Sequence, residues 1–180
     1  MEFDDVIRKR TSIRSYEQIP VDESLIKHIL ENASLAPSWM NRQCWHFVVI
    51  TDTSIIHEIA KTGVINRWIK QAPVIIIACA DPHLSGENNQ IPYYAVDTAI
   101  AMQHLILSAT NVGLGTCWIG SFDEKKIKIL LEIPPRIRII GLTPVGYPRE
   151  LRTIGEKGRK ILIRSTKRKK LDEIIHWSHW

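Results

Sequence analysis

Residues 93–115 read YYAVDTAIAMQHLILSATNVGLG. Val96, Ala99, Ile100, Met102, Leu105, Ile106, Leu107, Ala109 and Val112 spread around almost the whole circumference of a helix. The stretch therefore predicts one long helix, Tyr93–Val112, that is buried nearly all round. Its polar exceptions, Asp97, His104, Ser108 and Asn111, fall on one narrow stripe at heptad-like spacing. Such a seam fits a contact between two copies of the chain. Gly113-Leu114-Gly115 supplies the stop, because glycine readily takes the left-handed conformation that ends a helix.

A helix with so little polar surface needs partners on several sides, and the flanking sequence offers them. Thr116 to Gly120 predicts a short strand, Asp123 to Leu131 a helix, and Ile137 to Val145 a longer strand. On the other side, Pro73 opens the apolar strand Val74–Ala80, and His46–Thr51 is β-branched and strand-like. Asp22 is a fair N-cap for a helix carrying Leu25, Ile26, Ile29, Leu30 and Ala33 on one face. Pro37 ends that helix, since the residue before a proline is pushed out of helical geometry. A helical stretch spans Ser54 to Gln71 with an interruption at Gly63, Asp81 to Pro92 reads as a polar loop, and Leu171–Trp177 as a last short helix. The class is α+β, a single domain over residues 1–180 with four short strands and a dominant buried helix.

Composition narrows the function. The 180 residues are 44% hydrophobic and 24% charged, enough for one full core. Cys44, Cys79 and Cys117 are scattered and odd in number, so neither a disulfide framework nor a metal cluster is expected, and a cytoplasmic setting is. No apolar run is long enough to span a bilayer. The net charge of +5 is local: residues 149–170 hold ten Lys/Arg against Glu150 and Glu156. That basic tail (149–180, with the terminal helix) would suit an anionic partner, but it lacks the interleaved aromatics and motifs of a nucleic-acid binder.

Two polar segments remain. Arg10-Thr11-Ser12-Ile13-Arg14 sets two guanidinium forks around two hydroxyls, a pattern suited to phosphate. Pro37-Ser38-Trp39-Met40-Asn41-Arg42-Gln43-Cys44-Trp45 is a turn rich in amides and aromatics that runs into a strand. The first resembles the Arg-x-Ser-x-Arg/Lys opening of the nitroreductase family of flavin mononucleotide (FMN) enzymes, and the second its Pro-Ser-Ser-x-Asn-x-Gln-Pro-Trp segment. Gly113-Leu114-Gly115 with Trp118-Ile119-Gly120 resembles that family's strand and turn beneath the flavin ring. Pro144-Val145-Gly146-Tyr147-Pro148 is similar to the end of its last core strand, and Lys167-Arg168-Lys169-Lys170-Leu171 to its C-terminal basic motif.

The resemblance implies a nitroreductase-like fold: a central, mostly antiparallel sheet flanked by helices, with a C-terminal segment reaching a partner subunit. It implies a homodimer with FMN at the subunit interface. By that pattern Arg10, Thr11, Ser12, Arg14 and Lys167/Arg168 come from one chain. Pro37, Ser38, Trp39 and Asn41 come from the other, together with Ile119 and Gly120, and Trp39, Trp68 and Trp118 are candidate walls of a substrate slot. No side chain is expected to act as acid or base, because the cofactor carries the chemistry. The implied reaction is ping-pong, with NADH or NADPH reducing nitroaromatics, quinones or a related flat acceptor. Dehydrogenation, dehalogenation or flavin fragmentation on the same scaffold is the alternative.

Overall fold

A computed structural model of the chain describes residues 1–63, 66–149 and 168–180. The chain divides into two compact units, Met1–Arg149 and Glu150–Trp180, and the division falls where the basic tail begins. The first unit contains α1 (Phe3–Lys9), α2 (Glu23–Ser34), β1 (Trp45–Ile50), α3 (Thr53–Lys61), β2 (Val74–Ala80), β3 (Glu87–Asn88), β4 (Ile91–Pro92), α4 (Tyr93–Asn111), β5 (Gly115–Thr116), α5 (Glu124–Leu130) and β6 (Arg138–Gly146).

The main sheet has the order β1-β2-β6-β5 with every strand pair antiparallel. β2 lies second from the edge, and all seven of its residues are buried. Alternate side chains of a strand point to opposite faces, and β2 shows what each face holds. Ile75, Ile77 and Cys79 join a core with Ile56, Ile59 and Ala60 of α3 and Ile127 of α5. Val74, Ile76 and Ala78 join a second core with Ile26, Ile29 and Ala33 of α2 and Met102, Leu105, Ile106 and Ala109 of α4. The result is three layers, with α4 and α2 on one face and α3 and α5 on the other.

Local chemistry explains the boundaries. The Asp22 carboxylate accepts from the Ser24 amide at 2.7 Å and starts α2; Asp52 does the same for Ser54 and starts α3. Gly113 takes φ +82° just past α4, as a glycine stop requires. Glu124 ties the start of α5 to β6, accepting from the Ile139 amide at 3.0 Å and from Arg138 Nε at 3.1 Å.

Three readings change. The polar loop 81–92 contains a single turn of 3-10 helix, Pro82–Leu84, and the small hairpin β3–β4. Asn89 and Gln90 at its tip both have positive φ, the geometry of a tight two-residue hairpin turn. The expected terminal helix Leu171–Trp177 is one 3-10 turn, Leu171–Glu173. The polar stripe of α4 is largely spent inside the chain: Asp97 is buried and bonded to two loops, and Ser108 accepts from Asn32 at 2.7 Å. At the exposed end of the stripe, Asn111 accepts from the Met1 ammonium at 2.9 Å.

Candidate functional site

The amino-terminal motif is an added edge of the sheet. Arg10 ends α1, its amide bonded to the Val6 carbonyl at 2.9 Å. The chain then runs beside β5, where Ser12 pairs with Thr116 in a parallel bridge and the Ile13 amide donates to the Thr116 carbonyl at 2.8 Å. Ile13 packs onto the bare backbone of Gly115. With Ile13 turned that way, the alternation of an extended segment turns Ser12 and Arg14 the other way. Tyr16, 1% exposed, closes the segment by donating its hydroxyl to the Ile13 carbonyl at 2.7 Å.

Arg10, Thr11, Ser12 and Arg14 are all half-buried. Among the described residues, neither the Arg10 nor the Arg14 guanidinium has a carboxylate or hydrogen-bond partner. Two partly desolvated, uncompensated guanidinium groups four residues apart make a site that attracts an anion.

The segment from Trp118 to Gly120 continues along the same edge. Ile119 and Leu142 exchange both backbone hydrogen bonds, at 2.9 and 3.0 Å. The Trp118 ring, 38% exposed, lies over the backbone of Gly141. A Cβ placed at Gly120 would meet only Trp118 Nε1, at 3.9 Å, so the Gly120 backbone faces open space. Ile119 and Gly120 therefore belong with the Arg10 motif of their own chain. The expected grouping of these two residues with Pro37 does not hold within the sheet, because β5 and β1 are its opposite edges.

The second motif stands at the far corner. Pro37 follows α2, and residues 38–43 form a tight turn in which Met40, Asn41 and Gln43 have φ of 48°, 54° and 49°. Left-handed backbone costs a residue other than glycine on the order of 1–2 kcal/mol, and such outliers point to functional segments. Ser38 Oγ accepts from the Gln43 amide at 2.9 Å, and the Gln43 side-chain amide donates to Asn41 Oδ1 at 3.1 Å. The Asn41 side-chain nitrogen is left with no partner among the described residues. Cys44 is fully buried beneath the turn, and burial followed by the nearby charge of Asp97 pushes its thiol up, so it stays protonated and inert.

Trp39 departs from expectation. Its ring centroid is 4.4 Å from that of Tyr93, and its indole occupies the space a side chain at Gly86 would need. The indole thus clasps the β3–β4 hairpin instead of standing free as a wall. Trp68 stacks on Tyr16 at 6.5 Å, so the three tryptophans expected to line one slot stand in three places in the chain. That same stack brings the 3-10 turn Arg67–Gln71 onto the segment after Arg14, helped by Gln18 donating to the Gln71 carbonyl at 2.8 Å. Arg67 and Lys70 are exposed there and lack a carboxylate partner among the described residues. Nothing in the sequence links them to Arg14; the Tyr16–Trp68 pair does.

The two motifs are not brought together by one chain. Thr116 is in register with Val145 and Val74, whereas Trp45 is in register with Ala80 at the opposite end of β2. Three strand spacings across and six residues along put the corners on the order of 20 Å apart. Of the C-terminal candidates, Lys167 lies outside the described residues, and Arg168 is exposed within the separate unit Glu150–Trp180.

Comparison with known proteins agrees with this fold. The family model for the nitroreductase family matches residues 7–62 and 57–147. A nitroreductase family protein from Clostridium novyi NT is 39% identical, superposes with a TM-score of 0.80, and the match covers 83% of this chain and 87% of that one. A protein of Methanothermobacter thermautotrophicus with the provisional name NADH dehydrogenase/NAD(P)H nitroreductase is 34% identical over 155 residues, 83% of this chain and 79% of its own. Human iodotyrosine deiodinase 1 is 27% identical over 193 residues, 89% of this chain and 66% of its own. With the fold, the paired motifs and these matches in agreement, the chain belongs to the nitroreductase family.

Proposed function

We propose that the protein is a homodimeric, FMN-dependent oxidoreductase that uses NADH or NADPH to reduce a flat acceptor such as a quinone or a nitroaromatic. The observation that carries this reading is the pairing of two half-buried, uncompensated guanidinium groups with an open glycine backbone on one sheet edge. That edge suits a molecule with a phosphate at one end and a planar polar ring at the other. Arg10, Ser12 and Thr11 would hold the phosphate. Arg14 would set a positive charge by the ring's carbonyl edge, and the Gly120 amide is a donor that no side chain covers.

When bound, FMN supplies the reversible transfer of a hydride equivalent between nicotinamide and acceptor. The residues of the chain bind, orient and exclude. Ser38 and Asn41 keep donors available, the Ser38 hydroxyl proton and the Asn41 amide, in a turn already fixed by Gln43. Because that turn lies at the opposite corner of the sheet, a complete site needs the turn of a second chain. A single open slot, used in turn by nicotinamide and acceptor, selects flatness more than identity, which fits a ping-pong order. Reductive dehalogenation is the second reading, favoured by the match to iodotyrosine deiodinase 1.

The deciding experiment is the visible spectrum of the purified protein, before and after NADH or NADPH under anaerobic conditions. Bound flavin that bleaches is the expected result. Flavin indifferent to both nucleotides shifts the reading to another flavin reaction, and iodotyrosine added to the dithionite-reduced flavin then tests dehalogenation, with reoxidised flavin, tyrosine and iodide as the products. No flavin after incubation with FMN overturns it.

A further inference from the structure

Asp97 is 3% exposed, on the second turn of α4. No lysine, arginine or histidine pairs with it among the described residues. A carboxylate is costly to bury unless hydrogen bonds compensate, so the groups bonded to it show what it holds. Its Oδ1 accepts from the Trp39 amide at 3.1 Å. Its Oδ2 accepts from the Ser85 hydroxyl at 3.1 Å, with the Cys44 thiol 3.8 Å away. One oxygen thus serves the left-handed turn 38–43 and the other the start of the β3–β4 hairpin. The Trp39 indole, seated on Gly86 and against Tyr93, joins the same two segments from outside.

We propose that Asp97 is a positioning residue that fastens the Ser38–Gln43 turn to the Ser85–Pro92 hairpin, so that the ring-facing turn and the rim of the acceptor slot keep one geometry. The role of the turn toward the ring rests on the function proposed above, and the hairpin as rim of the acceptor slot is part of this proposal; the coupling of the two segments rests on neither. Asp97 has no role here as an acid or a base. Its work is to offer two acceptors in fixed directions, and an amide can stand in for it. In Asp97→Asn the side-chain oxygen would accept from the Trp39 amide, while the side-chain nitrogen would donate to the Ser85 hydroxyl, which turns to accept.

The test compares full-length wild type with Asp97→Ala, Asp97→Asn and Ser85→Ala by backbone hydrogen exchange, and then by acceptor KM and kcat in the FMN-loaded enzyme. Asp97→Ala is expected to speed exchange in residues 38–43 and 85–92 together, by roughly ten-fold or more. Asp97→Asn is expected to restore both. Ser85→Ala should speed exchange in the hairpin and raise the acceptor KM severalfold with little change in kcat. Loosening of only one segment in Asp97→Ala, or an Asn variant no better than the Ala variant, overturns the proposal. If Asp97→Ala does not fold, an Asp97→Asn protein with wild-type exchange and a Ser85→Ala protein with a mobile hairpin support it, and a Ser85→Ala hairpin as protected as wild type overturns it. The exchange readout needs no flavin. A protein that takes up no FMN yet loosens in both segments keeps the coupling and loses only the functional reading.

Discussion

Ser12 and Thr116 form a parallel bridge beside a sheet whose strand pairs are all antiparallel. The bridge adds the stretch after α1 to the sheet as a fifth, partial strand at its edge and fixes where Arg10 and Arg14 stand. It depends on Gly115, where an added Cβ would lie 2.8 Å from Ile13 Cγ1. Gly115→Ala should therefore cost about 1–3 kcal/mol through overpacking and weaken FMN binding at the same time. Thermal melting and a flavin titration on one preparation check both, and a variant with unchanged values would separate the motif from β5.

Arg10→Ala and Arg14→Ala should each weaken FMN retention by roughly ten-fold or more, the worth of a charge-assisted hydrogen bond. Because neither guanidinium has a carboxylate partner among the described residues, removing it should leave the melting temperature of the flavin-free protein almost unchanged. Fluorescence of flavin released on dilution measures the first quantity and calorimetry the second. A large loss of apoprotein stability would mark the residue as structural.

Opposite corners of the sheet also predict the outcome of mixing. If two chains share each site as proposed, Arg14→Ala and Asn41→Ala chains, each impaired alone, should recover about a quarter of the wild-type sites when unfolded and refolded together, because half of the pairs are mixed and each mixed pair holds one undamaged site. If each site were built within a single chain, every site would carry one defect and mixing would restore nothing. Turnover of a quinone before and after mixing distinguishes the two.

Acid should loosen the contact between α5 and β6. Burial pushes the Glu124 carboxyl up, but the Ile139 amide, Arg138 and Lys128 together outweigh it and hold the group below its ordinary value. A folded-state value below the unfolded one means stability that is present above about pH 4.3 and lost as pH falls through the folded value. Glu124→Gln should therefore lower the melting temperature at neutral pH by a few degrees and have a smaller effect near pH 3. Melting curves of both proteins over that range provide the check.

The architecture is legible in the sequence where one period or one cap dominates. Apolar coverage of residues 93–112, the stop at Gly113 and the cap Asp22 are short-range signals, and each element stands where they put it. The hairpin at 87–92 is hidden because its tip is Asn89-Gln90, and Gln90 is not a residue that advertises a left-handed turn. The terminal helix shrinks to one turn because Leu171, Ile174 and Ile175 give an apolar spacing without the length that stabilises a helix. Within the candidate site, the residue types are readable and their company is not. Trp39 reads as a free wall, since nothing in the sequence places Gly86 and Tyr93 against it. Arg67 and Lys70 reach the Arg14 segment only through the Tyr16–Trp68 stack and the Gln18 bond.

The diagonal placement of the two motifs has a consequence for dosage. If the halves are joined between chains as proposed, a lone polypeptide carries two half sites and no whole one. At concentrations below the dissociation constant of the pair, output would rise with the square of the amount made rather than in proportion to it. A freshly synthesised chain would then be chemically silent until it met a second, and a modest fall in expression would silence the reaction far more than it depleted the protein.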